Sequence, residues 1–312
     1  MGLRGVLKKA KRYITDPDYR FLINAGYGLN KGMDDEKYIR RMYGAVLHKK
    51  LNLENPQTFN EKLQWLKLYD RKPEYTDMVD KYAAKAYVAD RIGEEYIIPT
   101  YGVWERFDDI DFDSLPQQFV LKCTHDSGGL VICRDKSALD REKAKSKIEA
   151  SLKRDFFYVA REWPYKNVPK RIIAEKYLED GHGATGLTDY KFYCFNGKPQ
   201  FLYVSQGLEN HDTARISFIT MDWEFAPYER KDFAPFSELP ERPEKFDEMV
   251  QVCCELSRGH SFLRVDLYEV DGQVLFSELT FAPCGGLMPF ASAEQDMNMG
   301  KLLMLPDRSG EH

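Results

Sequence analysis

The sequence predicts an α+β protein, with a mainly helical front followed by a body of antiparallel strands. Strand-like runs crowd the chain after residue 97, and the dipeptides Asn196-Gly197 and Asp271-Gly272 each join two of them as a hairpin. Helical spacing is confined to the first 110 residues and to one later stretch, 141–161. Segregation of this kind argues for layered helices and hairpins rather than a doubly wound parallel sheet.

The elements follow in chain order. Leu3, Val6, Leu7 and Ile14 alternate with Arg4, Lys8, Lys9, Lys11 and Arg12. This stretch lacks the long apolar core of a secretion signal. It is either a solvated first helix or a basic amphipathic one that contacts anionic lipid. Asp34-Asp35-Glu36 opens a run with apolar residues three and four apart, Tyr38, Ile39, Met42, Tyr43, Val46 and Leu47. Thr58 and Glu61 form a capping box ahead of Leu63, Leu66 and Leu68. Another helix covers 81–88 and stops near Gly93. Strands are expected at 96–98, 119–123, 130–133, 171–178, 191–195, 200–205, 217–220, 262–270 and 274–281. No repeat or low-complexity linker divides the chain.

Composition excludes several classes. Of the 312 residues 43% are hydrophobic and 30% charged, which argues against disorder. A net charge of -5 gives no general nucleic-acid-binding field. No run approaches the ~20 apolar residues that a membrane-spanning helix needs. The six cysteines, at 123, 133, 194, 253, 254 and 284, form no CxxC pair and read as reduced residues of a cytosolic protein.

Four segments carry chemistry. The first is 119–129, an apolar strand ending in Lys122 and running into Thr124, His125, Asp126, Ser127, Gly128 and Gly129. A lone ammonium beside a small, flexible loop suits a polyphosphate, although a snorkelling lysine before a glycine turn has the same pattern. The second is the hairpin holding Arg264, Asp266, Glu278 and Thr280. A three-residue loop or a bulge sets Asp266 across from Glu278, whereas a plain two-residue loop puts them on opposite faces. Facing carboxylates repel unless a cation bridges them, and hard oxygen ligands suit Mg²⁺ shared with phosphate; a solvated acidic face is the alternative. The third is 172–179, ending in Glu175, Lys176, Tyr177, Leu178 and Glu179. The fourth places Asp189, Lys191 and Tyr193 on one strand face.

In this order the segments resemble the ATP-grasp superfamily, and more closely its TupA-like branch, which is associated with bacterial surface-polysaccharide and teichuronopeptide biosynthesis. The likeness rests on 55–67, Asp80-Lys81-Tyr82, 119–129, 175–178, 189–193 and the Arg264–Asp266 and Glu278–Pro283 stretches. It covers most of the chain from 50 to 300. It implies a helical region over 1–75 and an ATP-grasp domain over 76–312, whose lid subdomain is 117–180. By the same resemblance ATP and Mg²⁺ are the cofactors. Lys122 and Lys81 match phosphate-side lysines, and 124–129 the loop that closes over the phosphates. Glu175 to Leu178 match the adenine hinge, with Glu179 near the ribose. Asp266, Glu278 and Thr280 match the metal ligands, Thr280 standing where many members carry Asn. Lys191 and Arg264 match the cations that stabilise the transferring phosphoryl group.

The activity so implied is a carboxylate–amine ligase working through an acyl phosphate on a small-molecule or glycan carboxylate and an amine acceptor. A kinase for a sugar hydroxyl, a sugar-nucleotide glycosyltransferase and a non-catalytic membrane-associated module are the alternatives. No nucleic-acid partner is expected. The cytoplasm is the expected location, with peripheral contact at the inner membrane face through the basic N-terminus.

Overall fold

The computed structural model describes residues 3–179, 187–207 and 214–307. Local capping starts the front helices where the sequence puts them. α1 (Leu3–Thr15) gives way to α2 (Pro17–Gly26), where the Asp16 carboxylate accepts from the Asp18 and Tyr19 amides and Pro17 occupies the first turn. Asp34 caps α3 (Asp35–Leu47), and both halves of the Thr58–Glu61 box form at α4 (Phe59–Tyr69). Two shorter helices follow, α5 (Glu74–Val79) and α6 (Ala83–Ile92).

Among the described residues nine strands then make two antiparallel sheets. The smaller contains β1 (Thr100–Trp104), β2 (Phe119–Cys123), β3 (Leu130–Cys133) and β4 (Ile172–Lys176) in the order β1-β4-β2-β3. α7 (Arg141–Leu152) covers one face of it with Ala144 and Ile148. The larger sheet contains β5 (Asp189–Phe195), β6 (Lys198–Gln206), β7 (Arg215–Thr220), β8 (Phe262–Val270) and β9 (Gln273–Thr280) in the order β7-β6-β5-β8-β9. Central β5 is buried along its whole length, because both faces of this sheet are covered. Phe192, Cys194, Val265 and Leu267 pack on α9 (Phe246–Ser257) with Met249 and Cys253. On the other face Tyr193, Phe195 and Phe262 meet Phe59 of α4 and Met299 of α10 (Ala293–Leu302). Phe59 packs edge-on to Phe262 with ring centroids 5.1 Å apart, a contact worth about 0.5–1.5 kcal/mol beyond burial.

Several expectations need correction. The strand placed at 96–98 begins instead at Thr100. Glu94–Tyr96 is a 3₁₀ turn and Ile97 makes a single bridge to Phe276, while Pro99 has no N–H to offer a ladder. The helix expected over 141–161 ends at Leu152; a one-turn helix, α8 (Phe157–Ala160), follows and Arg161 takes left-handed backbone with φ 55°. α9 and α10 were absent from the sequence reading, although Phe246, Met249, Cys253 and Leu256 carry helical spacing.

The Arg161 side chain is almost wholly buried and joins the front helices to the body. Its guanidinium donates to the carbonyls of Asn30, Lys31 and Met33 and lies over the rings of Tyr38 and Tyr158. Lys67 of α4 makes a second junction, donating to Ala160 O at 2.7 Å and Gly285 O at 2.8 Å.

Candidate active site

The uncovered face of the small sheet begins the site. Alternation along β2 sends Phe119, Leu121 and Cys123 into the α7 core and leaves Val120 and Lys122 on the other face. In β4 the same rule buries Ile172 and Ala174 under α7 and turns Glu175 to the Lys122 side. Lys122 Nζ lies 2.6 Å from Glu175 Oε2, and Lys85 Nζ of α6 lies 2.6 Å from Oε1. One carboxylate thus counters two ammonium groups. Burial works against the Lys122 charge, but Glu175 outweighs it and Glu278 adds to the pull, so the ammonium is held above the ordinary lysine range. Glu175 is held below the usual carboxylate range because both lysines overcome its burial. Glu278 belongs to the large sheet, so charge from that sheet reaches Lys122.

The large sheet supplies the opposing wall. Its turn has only two residues, Asp271 and Gly272, with φ 52° and 71°. A regular ladder from that turn would put Glu278 on the apolar face. Ser277 is instead the extra residue of a β-bulge between the Leu267–Phe276 and Asp266–Glu278 pairs, and beyond it Arg264 faces Thr280. Of the two arrangements that bring the carboxylates together, the longer loop and the bulge, the tight turn with a bulge is the one that forms.

Around this pair the cations converge. Arg264 binds Asp266 through Nε and Nη2, both at 2.7 Å, and Lys191 Nζ lies 2.9 Å from Asp266 Oδ2 and 2.6 Å from Asp189 Oδ2. Asp266 is 1% exposed, yet Arg264 and Lys191 overcome that burial and keep its carboxyl below the usual range. Burial pushes Asp189 up, and its Oδ1 accepts no hydrogen bond among the described residues. Thr280 donates to Glu278 Oε1 at 3.1 Å.

The loop after β2 differs from expectation. Thr124, His125 and Asp126 are buried and their side chains face inward. Thr124 Oγ1 donates to Pro169 O, the His125 ring lies against the Ser151 and Arg154 carbonyls, and Asp126 accepts from Gly129 N and Ser151 Oγ. These three side chains shape the loop instead of reaching a phosphate, which leaves the exposed Ser127 and Gly128 and the loop backbone. Gly129 is small for an internal reason: a Cβ there would come within 2.5 Å of Cys123 Sγ and 2.6 Å of Ser151 Oγ. Lys81 belongs to the same support. Its Nζ donates to Asp126 O at 2.5 Å and its amide to Thr124 O, while Asp80 pairs with Arg171, whose carbonyl receives the Thr124 amide.

In the hinge segment, Lys176 and Glu179 are exposed and the Tyr177 hydroxyl accepts from Arg134 Nε at 2.9 Å. Leu178 is buried with Ile98, Val270 and Leu275, where the small sheet roots on the β8–β9 hairpin.

Sequence reasoning missed three contributors. Lys85 was visible only as the residue one turn after Lys81. Glu162 lies buried within the fields of Lys67, Glu278 and Arg264, and burial pushes its carboxyl up. Tyr203 packs beside Lys191 and Arg264, with its ring 6.0 Å and 5.8 Å from their charges. Cys284 lies just beyond the Thr280 end of β9. Desolvation pushes its thiol up against the pull of Arg230 and Arg264, so it stays a poor nucleophile.

The donors fit Mg²⁺ carried by a nucleotide. Asp266 and Glu278 are facing hard-oxygen ligands with the Thr280 hydroxyl beside them, and Mg²⁺ at such sites takes one or two carboxylates and completes its shell with phosphate and water. Among the described residues no group of three or more His, Cys, Asp or Glu forms an all-protein cage.

Two antiparallel sheets, one carrying Lys122 with its partner Glu175 and the other facing carboxylates with their cations, are the architecture of an ATP-grasp enzyme. The profile of the family described as TupA-like ATPgrasp matches residues 61–304, and the chain belongs to that family. It is accordingly an ATP-dependent ligase of the ATP-grasp type that uses ATP and Mg²⁺. A comparison with curated proteins finds no match. Among solved structures, the chain is similar to D-alanine-D-alanine ligase from Helicobacter pylori, at 14% identity and TM-score 0.40 over 78% of this chain and 69% of that one. It is likewise similar to D-alanine–D-alanine ligase from Bacillus anthracis, at 14% identity and TM-score 0.40 over 92% and 89%. A third similar structure is the ATP-grasp ligase PsnB complexed with a phosphomimetic variant of minimal precursor, Mg and ADP, at 11% identity and TM-score 0.37 over 78% and 62%.

Proposed function

We propose that the protein converts a carboxylate to an acyl phosphate and then joins it to an amine, one partner belonging to a bacterial surface glycan or its precursor. In the first step a carboxylate oxygen bonds to the γ-phosphorus of ATP and the β–γ bridge breaks, releasing ADP. In the second the amine nitrogen bonds to the acyl carbon, inorganic phosphate leaves, and the nitrogen gives up a proton. The observation that carries this reading is the convergence of Lys122 on one sheet with the Asp266–Glu278 pair on the other.

Lys122 neutralises α- and β-phosphate charge, and Lys85 is within reach to assist once the nucleotide draws Lys122 from Glu175. Lys81 with the backbone of 124–129 closes over the phosphates, and the small sheet acts as the lid. The 175–178 backbone receives adenine and Glu179 the ribose. Lys191 and Arg264 stabilise charge on the transferring phosphoryl group and on the acyl carbonyl as it is attacked. Asp266, Glu278 and Thr280 would hold Mg²⁺, which would supply charge neutralisation for the phosphates. The supply of ATP places the reaction in the cytoplasm. The glycan rests on the family's association with surface polysaccharide, and the chain's 19 Tyr and 19 Phe are compatible with it.

The test is turnover with ATP, Mg²⁺ and panels of uronic or amino acids and amines. ADP and phosphate should appear only with both acid and amine present, and Lys122→Ala should lower the rate by about a hundredfold or more. Unchanged turnover in that variant would overturn the assignment, and a phosphorylated sugar without free phosphate would mark a kinase.

A further inference from the structure

α1 presents a division of chemistry around its axis that the site does not use. At 100° per residue, Val6, Leu7, Ala10, Tyr13 and Ile14 fall on one stripe, while Lys8 and Arg12 fall opposite. Lys9 and Lys11 border the stripe, one at each edge. One edge, Val6, Ala10 and Tyr13, looks across an open cleft of about 300 Å³ toward Tyr19 and Ile23 of α2. Tyr13 fixes that packing by donating to Asn24 Oδ1 at 2.7 Å. The other edge is uncovered, with Leu7 61% and Ile14 71% exposed. The α1–α2 hairpin brings Ile23 beside Val6, so the exposed Tyr27 and Leu29 lie toward the same end as the start of α1. Scattered exposed apolar residues need no explanation, but a continuous stripe on one helix does.

Charge says what covers it. Residues 1–15 carry five cations and no acid, so with a chain total of -5 the other 297 residues carry -10. Arg12 is engaged by Asp16, while Lys8, Lys9 and Lys11 have no ion-pair partner among the described residues. An anionic surface therefore attracts this helix and repels the rest of the molecule, which sets orientation as well as affinity.

We infer that α1 is an interfacial helix that seats the enzyme on an anionic lipid bilayer. Leu7, Ile14 and Val6 enter the acyl boundary, and Lys9 and Lys11 reach from the two edges of the stripe to lipid phosphates. α1 contributes no residue to the site around Lys122 and Asp266, so this inference stands or falls independently of the ligase reading.

The test uses the full chain sedimented with phosphatidylcholine vesicles, with and without about one-third phosphatidylglycerol. Binding is expected only to the anionic vesicles and should be largely lost at about 1 M salt. Lys9→Gln and Lys11→Gln should each weaken it about fivefold. Leu7→Asn with Ile14→Asn, at exposed positions, should abolish it while leaving the thermal midpoint in place. Absence of binding, equal binding to both vesicle types, or indifference to these variants would overturn the proposal. So would a concentration-dependent dimer that Leu7→Asn with Ile14→Asn dissociates without any vesicle binding, because the stripe would then belong to a second copy of the chain.

Discussion

Asp266 faces Glu278 although the turn joining their strands has only two residues, and Ser277 is the reason. The bulge moves Glu278 off the apolar face, where Leu267 and Phe276 pair, and onto the face that holds Arg264, Lys191 and Thr280. Chain length between the carboxylates is therefore one residue more than the ladder uses. Deleting Ser277 should leave the pair facing and keep ADP formation within about tenfold. With the bulge retained, inserting one alanine after Ser277 turns the carboxylate into the core; if the ladder absorbs both extra residues, Glu278 moves opposite Arg264 and away from Asp266. Either way the rate should fall by about a hundredfold or more. Steady-state ADP release with near-ultraviolet circular dichroism as a fold control separates the two outcomes. An active insertion variant would show that facing carboxylates are not needed.

Glu175 is the counter-charge for both Lys85 and Lys122, so Glu175→Gln leaves two buried ammonium groups repelling each other. The expected loss is roughly 3 kcal/mol in urea unfolding at pH 7. Because the folded carboxyl sits below its ordinary range, this stabilisation is present above the unfolded pKa and is lost as pH falls through the folded one. The gap between wild type and variant should therefore close in acid. Saturating ATP should raise the variant's melting temperature more than the wild type's, since polyphosphate replaces the missing charge; equal shifts would separate Lys122 from the phosphates.

Arg161→Met should cost about 3–5 kcal/mol, because three carbonyls lose a buried donor and Asp35 a neighbouring cation. Limited proteolysis should then cut within 27–33, where the freed carbonyls lie. Arg161→Gly relieves the left-handed backbone while removing the same side chain, so it should be cut at the same place but lose less stability. Resistance to protease in both variants would show that the front helices are held by other contacts.

His260 is buried between Tyr75 and Phe281, and burial, with Lys72 and Arg91 nearby, lowers its pKa to about 4. The folded protein thus refuses a proton that the unfolded chain accepts near pH 6.5. Stability from this group is complete above that pH and falls as pH drops toward 4, by about 2 kcal/mol at pH 5. His260→Phe should flatten this part of the acid limb in urea titrations at pH 7 and pH 5. An unchanged slope would assign the acid sensitivity elsewhere.

Local signals were legible where local physics decides. The Thr58–Glu61 box and the Asn196-Gly197 and Asp271-Gly272 turns need only neighbouring residues, and all three formed as read. Alternation likewise put Lys122 apart from the β2 core and Arg264 with Asp266. It could not show that Lys122 would meet Glu175, or that Lys85 would approach from a helix, because those contacts join segments far apart in the chain. The 124–129 loop misled for a related reason: small and polar residues look alike whether they wrap a ligand or bond to one another. Arg161 gave no signal at all, since a charge inside is legible only once its carbonyl partners are in place.

Lys67 holds Ala160, in the stem that leads to the small sheet, and Gly285, just beyond the large one, with a single ammonium. The two walls are thereby tied at one corner through α4, so a shift of either wall there is passed to the other through one side chain.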